Sequence, residues 1–270
     1  MQTINYFQSG ENNCFYNKNI VITGATGGIG SILVKILFQL KANLFLISHD
    51  EKKLKNTFND ILNSIQYEIL DLENPKKITF QFQNIMMKLK GRLNILIMCH
   101  GKYNISLIKD CDISTFDNML NINVRSTFHF LSLCIPFLKM SKGNVVILSS
   151  LESRYQIKYG FLNSMTKSMI NSLIECCALE LAPFGVRING IAPGITNTNH
   201  RIGESLTEEQ NNNYIKAISN NFLLKKEIVQ PEDIVNNILF LASDDAGFIT
   251  GEIMENDNGY SLNNNLSYNE

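Results

Sequence analysis

Thr23-Gly24-Ala25-Thr26-Gly27-Gly28-Ile29-Gly30 is the stretch whose reading decides the fold of this chain. An apolar run, Ile20-Val21-Ile22, stands before it, and an apolar-periodic run from Ile32 to Leu40 follows. A buried strand, a tight turn and a helix fit that order. Gly24 can turn the chain sharply, Gly28 lets the backbone come close to a ligand, and Gly30 lets the helix pack tightly on the strand. The N–H groups that open the helix then face an anion, which the helix dipole favours. A dinucleotide pyrophosphate is the natural guest.

The rest of the chain alternates in the same way. Further apolar runs are Leu44–Ile47, Tyr67–Leu70, Leu93–Met98, Asn144–Leu148 and Val186–Ala192, with a short last strand at Glu252–Met254. Helices are expected between them. They run from Glu51 to about Ile65, from Pro75 to Leu89, from Ser114 to about Leu133, and from Leu162 to Leu181. Asp112 or Ser114 caps the third, and Pro136 lies near its end. Another helix runs from Pro231 to Ala242. The stretch Asn197–Leu224 is polar and irregular, and a mobile helical flap is expected there. Continuous apolar strands are expected where both sheet faces are covered. The reading is an α/β fold: one doubly wound, Rossmann-type domain with a mostly parallel seven-stranded sheet and helices on both faces. It covers residues 19–262, after an N-terminal extension (1–18) and before a polar tail (263–270). In such sheets a ligand binds beyond the carboxyl ends of the strands.

Composition excludes other classes. The chain has 270 residues, 44% of them hydrophobic, enough for a sizeable core. A net charge of -1 gives no reason to expect nucleic acid as a partner. No apolar run approaches the length of a membrane span. The six cysteines show no C-x-x-C spacing, and the four histidines are scattered. Buried free thiols, a reducing (cytoplasmic) compartment and no metal site are expected. The adjacent Cys176 and Cys177 read as packing, His129 as an interface or core residue, and His200 and the run Glu208–Asn213 as surface.

Several motifs in order resemble the short-chain dehydrogenases/reductases. They are Thr23-Gly24-x-x-x-Gly28-Ile29-Gly30, Asp71-Leu72, Asn123, Ser149-Ser150, Lys167 and the join Ala178–Asn189. Pro193-Gly194-x-x-x-Thr198, Gln230–Asp233, Phe240–Ser243 and Phe248–Gly251 follow. The resemblance runs from about Asn19 to Leu262. It implies hydride transfer between NADP(H) or NAD(H) and a small carbonyl or alcohol, or an activated alkene. It assigns cofactor binding to Thr23, Gly24, Gly28, Ile29, Gly30, Ser48, His49, Asp71, Leu72, Gly101, Lys167, Pro193, Gly194, Ile195 and Thr198. It assigns the reacting end to Asn123, Ser150, Lys167 and the residue at 163. It also implies a homodimer or homotetramer. An acidic residue at the end of the second strand would favour NAD. Ser48 and His49 stand there, with Lys52 and Lys53 nearby, and lean toward NADP.

The chain departs from the family at its central position. There a Tyr four residues before the Lys shares its helical face and passes the proton. This chain has Asn163, thirteen residues after Ser150. An amide does not titrate in water, so Asn163 cannot be the acid or base. Tyr155, Tyr159 and Tyr103 lie nearby, either as ordinary loop tyrosines or, for Tyr155 or Tyr159, as a replacement acid. After strand four, Met98-Cys99-His100-Gly101 stands in place of the usual Asn-Asn-Ala-Gly, without the Asn that ties neighbouring strands. Near the C-terminus, Asp257-Asn258-Gly259 stands in place of Asp-Gly-Gly. Two functions remain open: an oxidoreductase, or a dinucleotide-binding pseudoenzyme that acts as a sensor or interaction module.

Overall fold

The central strands of this protein have both faces covered, and their apolar residues divide between them by alternation. A computed structural model describes residues 13–198, 207–224 and 227–263. Val21, Phe45, Ile47, Leu96, Met98, Val145 and Ile147 face one core. Ile20, Ile22, Leu44, Leu46, Ile95, Ile97 and Val146 face the other. The side-chain period of two in a strand produces that division. Burial on both sides explains why the strands read as unbroken apolar runs rather than as alternating ones.

The strands are β1 (Asn19–Thr23), β2 (Asn43–Ser48), β3 (Gln66–Ile69), β4 (Ile95–Met98), β5 (Asn144–Leu148), β6 (Arg187–Pro193) and β7 (Ile253–Asn256). They form one sheet in the order β3-β2-β1-β4-β5-β6-β7. All six neighbouring pairs are parallel, so the sheet is wholly rather than mostly parallel. The winding reverses between β1 and β4, which opens a crevice at their carboxyl ends.

Helices α1 (Gly28–Gln39), α2 (Glu51–Phe58), α3 (Pro75–Lys88) and α4 (Ile113–Leu120) follow the first four strands. Asp50, Asn74 and Asp112 cap α2, α3 and α4 by accepting from Lys53, Lys77 and Thr115 N–H groups. The expected Ser114–Leu133 helix is a longer, composite element. A π turn at Asn121–Arg125 joins α4 to α5 (Ser126–Ser141). Pro136 lies inside α5 and does not end it. Leu131, Cys134 and Leu138 are buried on either side of the proline, and that packing outweighs the lost N–H bond. Helix α6 (Phe161–Leu181) precedes β6, and α8 (Pro231–Ala242) precedes β7. Between β6 and α8 lies α7 (Glu208–Ser219), opened by a Thr207/Gln210 capping box. The Glu208–Asn213 run is therefore the start of a helix. Ile218 and Phe222 pack under it against Ile195.

The core also reaches into the expected N-terminal extension. Phe15 is fully buried within the α1 and α8 side of the core. Asn13 Nδ2 donates to the Leu40 carbonyl at 2.6 Å, and Asn17 N–H to that of Lys41. Phe15→Ala should therefore destabilise the domain by about 3–5 kcal/mol, as loss of a buried Phe does elsewhere. Chemical denaturation measures this, and a change below about 1 kcal/mol would show that the segment is dispensable.

Candidate active site

At the carboxyl ends of the strands lies one continuous cleft of about 600 Å³, within the usual range for small-molecule and cofactor sites. Its floor at one end is the glycine turn. Gly24 has φ +66°, and a Cβ there would lie 2.6 Å from the Cys99 carbonyl carbon and the His100 nitrogen. A Cβ on Gly28 would lie 2.8 Å from Thr198 Cγ2, so the turn also meets the segment after β6 at glycine distance. No side chain caps α1, and its first turn carries no acidic residue. Its N–H groups are thus directed at the cleft as an anion site, and the cradle fits a pyrophosphate.

The end of β2 forms the next wall. Ser48 is buried, and its Oγ lies 3.5 Å from Thr26 Oγ1 and accepts from Asp50 N–H. Asp50 is occupied in capping α2 and is not among the cleft residues, whereas His49 and Lys53 are. Cationic or neutral groups line the place where a ribose diol would need a carboxylate. Asp71 and Leu72 lie beyond them, with Asp71 Oδ1 accepting from Glu73 N–H.

The end of β4 holds a tie that the motif reading missed. The expected Asn is absent, but His100 bridges the layers instead. Its Nδ1 lies 2.7 Å from Thr23 Oγ1, and its Nε2 lies 2.9 Å from Ser126 Oγ and 3.2 Å from Thr127 Oγ1. Thr23 is fully buried and takes part in this tie without lining the cleft. Desolvation, then the Lys167 charge, push the His100 ring down to about 3, so it is neutral. Gly101 follows, and a Cβ on it would lie 3.2 Å from Asn123 Oδ1 and 3.7 Å from Lys167 Nζ.

Asn123 sits in the π turn. Its Oδ1 accepts from Lys102 N–H at 2.8 Å, and its Nδ2 donates to the Lys102 carbonyl and Thr166 Oγ1. It lies behind the cleft wall rather than on it. Lys167 is buried and donates to the Leu148 carbonyl at 2.7 Å. Burial lowers its pKa to about 8, while Cys99 and Glu152 partly counter the shift. The Cys99 thiol is pushed up to about 12 by burial.

Ser150, Asn163 and Lys167 all line this end of the cleft, as the i, i+4 spacing on α6 and the β5 terminus require. A group not foreseen from the sequence joins them. Glu152 is buried one turn after Ser150 and accepts from Asn163 Nδ2 through Oε2 at 2.9 Å. Its Oε1 accepts from the Tyr103 hydroxyl, also at 2.9 Å. Tyr103 lines the cleft, whereas Tyr155 and Tyr159 are not among its lining residues and are more than a third exposed. Pro193, Gly194, Ile195 and Thr198 close the cleft after β6. His129 lies on α5, hydrogen-bonding distance from Thr79, and Cys176 is exposed. His200 lies outside the described residues. Among the described residues, no cluster of His, Cys, Asp or Glu is placed to hold a metal, and no helix is long and apolar enough to cross a membrane.

Several known proteins resemble this chain in sequence and fold. A family model described as enoyl-(acyl carrier protein) reductase matches residues 24–261. The 7alpha-hydroxysteroid dehydrogenase of Clostridium sardiniense is 27% identical over 91% of this chain and 94% of its own. The 3-oxoacyl-[acyl-carrier-protein] reductase FabG of Rickettsia felis is 28% identical over 90% and 96%. The structure of ElxO with NADP bound superposes with TM-score 0.81 at 26% identity, covering 91% of this chain and 99% of that one.

The His100 tie has a pH signature. Between about 6.5 and about 3 the unfolded chain binds a proton that the folded ring refuses. The stability it contributes is complete above that window and is lost as pH falls through it. Denaturation free energies of His100→Asn should fall less steeply across the window than those of the wild type. Equal slopes would show that the ring protonates in place.

Proposed function

The chain belongs to the short-chain dehydrogenase/reductase family, and from that premise we propose an NADP(H)-dependent oxidoreductase acting on a small carbonyl or alcohol. The observation that carries this reading is the continuity of one cleft. It runs from the glycine turn at Gly24–Gly30 to Ser150, Asn163 and Lys167. The turn and the α1 N-terminus would hold the pyrophosphate, and Asp71 and Leu72 the adenine side. Ser48, His49 and Lys53 would take the ribose phosphate that distinguishes NADP. Gly101, Lys167 and the Pro193–Thr198 segment would frame the nicotinamide end. When bound, the nicotinamide supplies or accepts the hydride. Ser150 and Asn163 would hold the substrate oxygen by hydrogen bonds.

A second reading rests on Asn163. Its amide cannot exchange a proton with substrate, which favours a dinucleotide-binding protein without turnover. Turnover of a panel of ketones and aldehydes with NADPH separates the two readings.

The remaining assignments follow the family. Phe128 and Met140 on α5, and Met165, Met169 and Leu179 on α6, are exposed apolar side chains. They support pairing of these helices between copies, and light scattering should give the mass of a dimer or tetramer. A monomer at micromolar concentration would refute it. Six cysteines without disulfides support a cytoplasmic location.

Nicotinamide fluorescence tests the cofactor. NADPH should bind with micromolar affinity and NADH more weakly. Ser48→Asp should reverse the preference by about tenfold, since it adds a charged acceptor for the ribose diol and repels a phosphate. Failure of both dinucleotides to bind would refute both readings.

A further inference from the structure

We propose that the reacting end of this cleft takes a carbon–nitrogen double bond, a small cyclic imine bound as its iminium ion. The inference rests on the NADP(H) oxidoreductase reading above and names a further substrate class for the same site. It starts from the orientation of the Asn163 amide. Asn163 is 3% exposed on α6, and its Nδ2 donates to Glu152 Oε2 at 2.9 Å. A carboxyl oxygen against the nitrogen fixes which end of the amide is which. The other end, Oδ1, accepts from none of the described residues, yet it is not among the buried side-chain atoms left without a partner. It therefore opens into the cleft that Asn163 lines.

Where the family has a phenol that donates, this chain thus presents an acceptor. A carbonyl oxygen is itself an acceptor and finds no partner in Oδ1. An iminium nitrogen carries an N–H and a positive charge, and it gives a charge-assisted hydrogen bond to the same atom. It also brings its own proton, so the missing acid at position 163 is not needed. Ser150 complements this arrangement. Its Oγ accepts from Glu152 N–H at 3.2 Å, while its own O–H donates to none of the described residues. That hydroxyl is available to a lone pair appearing on nitrogen. Lys167, the neighbouring cation on α6, is held on the Leu148 carbonyl. Tyr103, Tyr214 and Tyr260 line the same cleft, and aromatic faces attract cations.

In the reducing direction a hydride from NADPH reaches the iminium carbon and forms a C–H bond. The C=N π bond breaks, and its electron pair becomes the nitrogen lone pair. The nicotinamide is oxidised and the iminium is reduced to the neutral amine. No protein group gives up a proton. The amine takes one from water after release.

The test uses the full chain with NADPH and two ring probes of similar size, 2-methyl-1-pyrroline and cyclopentanone. The imine should be reduced with a kcat/KM about 10²- to 10⁴-fold above that of the ketone, which lacks the general acid it needs. Asn163→Leu removes the acceptor. It should lower kcat/KM for the imine about 10- to 100-fold, the worth of a hydrogen bond to a charged group. The NADPH dissociation constant, which reports an intact fold, should change less than about twofold. Asn163→Tyr replaces the acceptor with a donor and should raise ketone reduction while lowering that of the imine. A ketone reduced as well as the imine, or a probe ratio unchanged in both variants, would overturn the proposal and leave the oxidoreductase reading standing.

A readout without turnover keeps the two apart. Pyrrolidine, protonated in neutral buffer, carries the same cationic N–H on a saturated ring. Calorimetry should show it binding to the NADP-loaded chain, and Asn163→Leu should weaken that binding about tenfold or more. Pyrrolidine binding that does not depend on Asn163 would overturn the proposal even where the imine is reduced. Asn163-dependent binding with neither probe reduced would support the ligand class and count against the oxidoreductase reading alone.

Discussion

The close approach of β1 and β4 at their carboxyl ends is the constraint on which the rest of the site depends. Gly24 turns the chain with φ +66° directly against the Cys99–His100 backbone, where a Cβ would lie 2.6 Å from main-chain atoms. Only glycine fits, on both conformational and steric grounds. Because the winding reverses between these two strands, α1 begins on one side of the contact and the π turn after α4 lies on the other. His100 fastens the same junction through Thr23, Ser126 and Thr127. A neutral imidazole suits that task, since it donates on one side and accepts on the other. The hydroxyl groups around it can adapt to either tautomer.

From this junction the cleft takes its polarity. The helix dipole of α1 makes one end attractive to phosphate, and the β2 end adds His49 and Lys53 without a competing carboxylate. The other end holds Lys167 and Glu152. Lys167 is buried with its Nζ on the Leu148 carbonyl, and Cys99 and Glu152 partly counter the lowering of its pKa by burial. The Asn163 amide donates to the Glu152 carboxyl group rather than to solvent.

How much of this was legible in the sequence depended on how local its cause was. The strands, α8 and the cap at Asp112 follow from neighbours in sequence, and their residues announce them. The π turn at Asn121–Arg125 does not, because it replaces one hydrogen-bond register with another without changing the apolar pattern. Pro136 misled for the opposite reason. Its local penalty is real, but buried Leu131, Cys134 and Leu138 hold the helix through it. Phe15 belonged to the core although it stands before the first apolar run, because its partners come from α1 and α8.

The same distinction explains why Glu152 escaped notice while Ser150, Asn163 and Lys167 did not. Those three stand at spacings set by one strand end and one helical face, which a motif can record. Glu152 acquires its meaning only when the segment after β4 brings Tyr103 to it and α6 brings Asn163. Read along the chain, it is one acidic residue in a polar turn, with Arg154 as an obvious partner. In three dimensions Arg154 turns away to Glu255, and Glu152 points inward. The tyrosines nearest in sequence, Tyr155 and Tyr159, lie on the exposed outside of the loop. The carboxyl group that touches Asn163 lies eleven residues before it.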